Sequence, residues 1–210
     1  MSGPFITFEG GEGGGKSTQI GLLREYLKSE GHEIVVTREP GGTPIAERIR
    51  TLLLDPENTA LTPLAELMLY EAARAQHVGE LIAPALEAGK IVLCDRFCDS
   101  TVAYQGAGRS LSGESVYALN ELATRGLMPD ITLLMDLPPE TGLNRAKGDA
   151  QGDRIEKESI EFHTRVREGF LLLAENHPER IHTIDALKSV EEISITIRDI
   201  VASALASKEG

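Results

Sequence analysis

Gly10-Gly11-Glu12-Gly13-Gly14-Gly15-Lys16-Ser17 carries a glycine, four residues and then Gly-Lys-Ser, the spacing of a phosphate-binding loop. Its setting matters as much as its letters. Phe5-Ile6-Thr7-Phe8 is a short apolar run that reads as a buried strand, and Ser17 to Glu30 places Ile20, Leu23 and Leu27 at helical spacing before Gly31. In a strand-loop-helix unit the glycines let consecutive N–H groups turn toward an anion, and the helix N-terminus adds partial positive charge. Lys16 then reaches the outer phosphates of a nucleotide and Ser17 offers its hydroxyl to Mg2+, so Gly10 through Ser17, with Thr18, form the expected ATP-binding set.

Outward from the loop, strands and helices alternate. Ile34-Val35-Val36-Thr37 is a second strand, opening into the Pro40-Gly41-Gly42 loop, and Ile45 to Leu54 reads as a helix. A long helix is expected from Thr62, with Pro63 at its first position, to Ala88, its buried stripe made of Leu64, Leu67, Met68, Leu81, Ile82 and Leu86. Further strands are read at Ile91 to Cys94, Ile131 to Met135 and Ile181 to Ile184. Helices are read at Ser115 to Ala123, at Glu156 to Glu175, and after a Ser189/Glu192 capping box. Continuous apolar strands alternating with helices predict an α/β fold, a P-loop NTPase-type three-layer sandwich with a five-stranded parallel sheet covered on both faces. Residues 1–210 read as one domain, and the polar stretch from about 145 to 154 as a lid.

Acids outnumber bases by 33 to 21, a formal charge of −12, which excludes a general nucleic-acid-coating surface. Any anionic ligand must therefore be met by local cations. Cys94 and Cys98 have neither zinc-ligand nor Cys-x-x-Cys spacing, and the five histidines show no metal-ligand spacing and read as structural or surface residues. No apolar run is long enough to span a bilayer and no leader is visible, so a soluble cytoplasmic protein is the expectation.

Two clusters suggest what the loop serves. Asp95 leaves the third strand as a magnesium-side acid should, and Arg96 beside it adds a cation suited to a transferred phosphate; the alternative for Arg96 is a salt bridge to Asp95 or Asp99. Tyr70, Arg74 and His77 share one face of the long helix, where a ring could stack a base and a guanidinium could read its edge. The plainer reading is a half-buried tyrosine beside a surface arginine.

Taken together, the loop with Glu12 inside it, Thr37-Arg38-Glu39-Pro40-Gly41-Gly42-Thr43, Tyr70 with Ala73 to His77, Asp95-Arg96-Phe97 through Thr101, Ala103-Tyr104-Gln105-Gly106 and Asp153-Arg154-Ile155-Glu156 resemble the bacterial thymidylate kinases. The resemblance implies phosphoryl transfer from ATP to dTMP, with magnesium and a homodimer. It assigns Lys16 and Ser17 to ATP and its metal, Arg96 to the acceptor phosphate and Asp95 to the magnesium side. Arg74 and Gln105 would contact the thymine edge, with Ser100 and Thr101 beside the base, and Tyr104 would lie against the sugar. Glu12, Arg38, Glu39 and Arg50 match pocket residues near sugar and phosphate. Tyr70 stands where the family has a phenylalanine stacked on thymine, which keeps the ring and adds a hydroxyl.

Members of this family with an arginine in the phosphate loop lack it in the lid, and those with an acidic or neutral loop put basic residues in the lid. With Glu12 in the loop and Arg145, Lys147 and Arg154 flanking the lid, the chain resembles the second kind, which implies a catalytic lid cation, Arg154 first and Arg145 second. The rivals are a kinase for another acceptor such as dUMP, CMP or a deoxynucleoside, and a nucleotide switch, whose Asn-Lys-x-Asp motif is absent.

Overall fold

The computed structural model describes residues 2–146 and 152–209 of the chain. Strands β1 (Phe5–Glu9), β2 (Ile34–Arg38), β3 (Ile91–Asp95), β4 (Ile131–Asp136) and β5 (Ile181–Asp185) form one parallel sheet in the order β2-β3-β1-β4-β5. The described helices are α1 (Lys16–Ser29), α2 (Pro44–Leu54), α3 (Pro63–His77), α4 (Ala83–Glu87), α5 (Cys98–Thr101), α6 (Gly113–Thr124), α7 (Pro139–Ala146), α8 (Ile160–Asn176) and α9 (Val190–Glu209).

Side chains alternate across the sheet as a strand requires, and each face finds its own cover. Ile6 and Phe8 pack with Ile20, Leu23 and Leu27 of α1 and with Ile193, Ile197 and Val201 of α9. On the opposite face Phe5, Val92 and Cys94 meet Val78, Ile82 and Leu86, while Leu134 and Ile181 meet Phe162, Val166 and Phe170 of α8. At about 1.5–3 kcal/mol per fully buried large apolar side chain, these two layers hold the sheet between its helices. The strand order reverses at β1, whose neighbours are β3 and β4, so a crevice opens above the carboxyl end of β1, where the glycine loop leaves.

The expected long helix is not continuous. After α3 the backbone widens over Val78–Ile82, where the Ala83 N–H reaches the Val78 carbonyl, before α4 resumes. Pro84 explains this: it has no N–H to give and its ring crowds the preceding turn, so the helix opens around it. The buried stripe is also narrower than the spacing predicts. Leu67, Ile82 and Leu86 are buried, but Leu64 and Met68 are 52% and 54% exposed. A second wide turn, Val102–Gly108, carries Tyr104 and Gln105 on the wall of the crevice. The helix expected from Glu156 starts instead at Ile160, capped by the Ser159 hydroxyl on the Phe162 N–H.

Candidate active site

The loop after β1 has the shape its glycines predict. Gly10 lies at φ 118°, and a Cβ there would stand 2.3 Å from the Met135 carbonyl oxygen; Gly13, at φ 67°, would put one 2.1 Å from that of Gly142. Neither position admits a side chain. The loop closes onto Lys16 at the start of α1, whose ammonium donates to the carbonyls of Gly10 (3.2 Å) and Gly11 (2.8 Å). Burial pushes that ammonium below its ordinary pKa. Ser17 Oγ lies 3.5 Å from Asp95 Oδ2, and Asp95 Oδ1 is buried with no hydrogen-bond partner among the described residues. A buried acid oxygen next to a loop hydroxyl is the oxygen-rich donor set that a magnesium ion takes.

Arg96 is the hinge of the site. It sits at φ 70°, a left-handed conformation unusual for arginine, and its Nη1 donates to the Gly10 carbonyl (2.8 Å) and to Ser100 Oγ (3.3 Å). Its Nη2 meets Glu12 Oε1 at 2.7 Å, so the salt bridge is to Glu12 and not to Asp95 or Asp99. Asp99 instead holds Arg180 at 2.6 Å and Thr132 at 3.1 Å. Tyr104 donates its hydroxyl to the same Glu12 oxygen (2.9 Å), and its ring lies 5.0 Å below the Arg96 guanidinium. Burial acts to raise the Glu12 carboxyl, but Arg96 and Lys16 outweigh it and hold it at about 2. Under this turn lies Glu9, which no sequence motif singled out. Its Oε1 accepts from the N–H groups of Phe97 (2.7 Å) and Ser100 (3.3 Å), and burial, with Asp99 nearby, raises it to about 7.

Two clefts meet at Arg96. One, of ≈ 780 Å³, runs along the loop from Glu12 to Thr18 with Arg38, Asp95 and Arg96. The other, of ≈ 570 Å³, descends between α3 and the wide turn and is lined by Tyr70, Arg74, Phe97, Ser100, Thr101, Tyr104 and Gln105. They share a wall of Glu12, Glu39, Arg50 and Arg96. Tyr70 is half-buried, and desolvation pushes its hydroxyl above the usual range.

Several expected residues turn out to be engaged by the protein itself. Arg74 is not a surface arginine. It is 2% exposed, with Nε and Nη2 on Glu39 Oε2 at 2.8 Å and Nη1 on Glu71 (2.7 Å), Thr101 (2.8 Å) and Asn120 (2.8 Å). Glu39 is filled in turn by His77 Nδ1 at 3.0 Å, so His77 is structural as read. Arg38 pairs with exposed Glu47, and Arg50 donates to the Pro40 carbonyl (2.8 Å) while facing both clefts.

The two lid arginines are not brought to the phosphate loop. Arg154 is buried against Glu66 (2.6 Å) and the Leu53 carbonyl (2.8 Å), and Arg145 binds the Ala186 carbonyl (2.9 Å). Arg154 is thereby held by an anion that the protein itself supplies, and a buried pair of this kind is costly to break. Lys147 and Asp149 of the lid lie outside the described residues. Among the described residues no cluster of three His, Cys, Asp or Glu side chains could hold a metal, and no helix is long and apolar enough to cross a membrane.

Known proteins are similar to this chain over nearly its whole length. Residues 8–197 match the family profile of thymidylate kinase. A thymidylate kinase of Geotalea uraniireducens is 53% identical over 210 residues, covering 97% of this chain and 99% of that one. One from Exiguobacterium is 52% identical over 205 residues, covering 98% and 97%. The crystal structure of the Ehrlichia chaffeensis thymidylate kinase superposes with a TM-score of 0.79 at 37% identity, over 96% of this chain and 99% of that one.

Proposed function

The chain belongs to the thymidylate kinase family and so transfers a phosphoryl group from ATP to dTMP, giving dTDP, and we propose that the transfer occurs across the wall its two clefts share. The carrying observation is that shared wall: an acceptor phosphate in the deeper cleft and a donor γ-phosphate over the glycine loop would both face Arg96. The acceptor is already an anion, so positioning and charge neutralisation outweigh any general base. Lys16 sits on the donor side of the transferring group and Arg96 on the acceptor side. An acceptor-phosphate oxygen attacks the γ-phosphorus as the bridging bond to ADP breaks. Glu12, kept ionised, fixes Arg96 and Tyr104 against the sugar instead of taking a proton.

Ser17 and Asp95 would hold magnesium, which supplies charge neutralisation at the donor phosphates. Tyr70 stacks the base, and Thr101 and Gln105 line its edge. Arg74 acts mainly by fixing Glu39 and Thr101, with Arg38, Arg50 and Ser100 completing the acceptor wall. Residues 1–210 act as one kinase domain in the cytoplasm, with a lid at about 145–154. The protein works as a homodimer, a reading supported by exposed Leu64 and Met68 on α3, which packs between α2 and α6. An acceptor panel with ATP tests the assignment: dTMP should be the preferred monophosphate, and equal or faster turnover of CMP would sink it. Sedimentation of the wild type and of Met68→Glu tests the dimer, with the variant expected at half the mass.

A further inference from the structure

Behind Gln105, on the wall of the deeper cleft, lies a buried carboxylate. Glu66 on α3 is 1% exposed, yet it receives Gln105 Nε2 at 2.8 Å and Arg109 Nε at 3.1 Å on Oε1, and Arg109 Nη2 at 3.0 Å and Arg154 Nη1 at 2.6 Å on Oε2. Burial alone would raise the Glu66 carboxyl, but Arg109 and Gln105 outweigh it and hold it below the usual range. Glu66 is therefore an anion that can only accept.

That fixes a neighbour whose orientation would otherwise be free. A glutamine amide can turn either end toward a partner, presenting two donors or one acceptor oxygen. An ionised Glu66 admits only the NH2 end of Gln105. Gln105 lines the cleft, and its Oε1 makes no hydrogen bond among the described residues, so the oxygen is the end left for a ligand. An acceptor at that place suits a base whose ring edge offers an N–H, as thymine and uracil do at N3. It opposes cytosine, whose N3 offers a lone pair.

We infer that Glu66 is a specificity-setting positioning residue: by locking the Gln105 amide with its oxygen toward the base, it selects pyrimidines carrying N3–H over cytosine. The inference rests on the dTMP reading of this cleft. It adds the physical source of the choice, which lies one residue behind the residue that meets the base. In Glu66→Gln the new side chain keeps its oxygen at the Oε2 position, where Arg109 Nη2 and Arg154 Nη1 donate, and puts its NH2 at the Oε1 position, facing Gln105 and the Nε of Arg109. The Gln105 amide would then reverse and aim a donor into the cleft.

The test is kcat/KM for dTMP, dUMP and dCMP with the wild type, Glu66→Gln and Gln105→Leu. In Glu66→Gln the dTMP-to-dCMP ratio should fall about tenfold or more, and dUMP should fall in step with dTMP because both carry N3–H. A common drop for all three substrates, leaving the ratios unchanged, would reduce Glu66 to a structural role and overturn the inference. Should Glu66→Gln fail to fold, Gln105→Leu decides, since it leaves Glu66 paired with both arginines. It too should lower the ratio about tenfold, and an unchanged ratio overturns the proposal. Failure of the wild type to phosphorylate dTMP would instead strike the parent reading.

Discussion

Arg74 and Lys16 are both buried cations in one crevice, at 2% and 7% exposure, yet the protein treats them in opposite ways. Arg74 is surrounded by Glu39, Glu71, Thr101 and Asn120, contributed by α3, α5, α6 and the loop after β2. Among the described residues the Lys16 ammonium hydrogen-bonds to neutral carbonyls alone, those of Gly10 and Gly11, and Asp95 next door keeps an oxygen with no hydrogen-bond partner. A buried charge with all its bonds satisfied builds shape. One left short of a counter-charge marks where a ligand must bring one, and a phosphate chain with its metal is such a ligand.

The contrast breaks most visibly at Arg74. Arg74→Ala would leave Glu39, Glu71 and Asn120 facing one another in a dry pocket, and should cost about 3 to 5 kcal/mol of stability in urea unfolding without ligand. A raised KM for dTMP with an unchanged unfolding midpoint would show Arg74 to be a substrate contact and not a hub. At Lys16 the balance reverses. Lys16→Ala should lower kcat about 10²- to 10³-fold while the midpoint moves far less than in Arg74→Ala, because among the described residues the removed ammonium makes no direct salt bridge and donates to backbone carbonyls.

Asp95 offers a smaller and sharper reading. Asp95→Asn should raise the Mg2+ concentration for half-maximal activity roughly tenfold without loss of stability, since the orphaned oxygen contributes nothing to the fold. A magnesium dependence unchanged from wild type would move the metal away from β3.

What could be read from the chain divides along the same line. The phosphate loop was legible because its glycines obey a local backbone rule, at φ values only glycine adopts freely. The sheet was legible because buried parallel strands are continuous apolar runs. The hub was not, because its members come from distant parts of the chain, as do Asp99 and Arg180, which meet across 81 positions. Glu66 carried a faint signal, an acid directly beside Leu67 on the buried side of α3, and nothing marked it as the end point of Arg154. The wide turn left no mark in the apolar spacing, which runs on through Ile82 and Leu86 around Pro84, a residue without an N–H.

The subtlest contrast lies between two glutamates either side of the loop's first glycines. Glu9 is raised to about 7 by burial and by Asp99, and Glu12 is held at about 2 by Arg96 despite its burial. For Glu9 the folded state binds the proton more tightly than the unfolded chain does. It therefore opposes folding as pH rises from the usual carboxylate range through about 7. For Glu12 the folded state releases the proton more readily. Its contribution is complete above the ordinary carboxylate pKa and is lost as pH falls toward about 2. Thermal unfolding of Glu9→Gln and Glu12→Gln against the wild type separates the two. The first variant should gain on the wild type between pH 5 and 8. The second should lose a constant amount above pH 5 and close the gap below pH 4. Parallel pH curves for both variants would mean that burial with Asp99 on one side and Arg96 with Lys16 on the other do not divide the two carboxyls, and the assignment of one to support and the other to the site would fall.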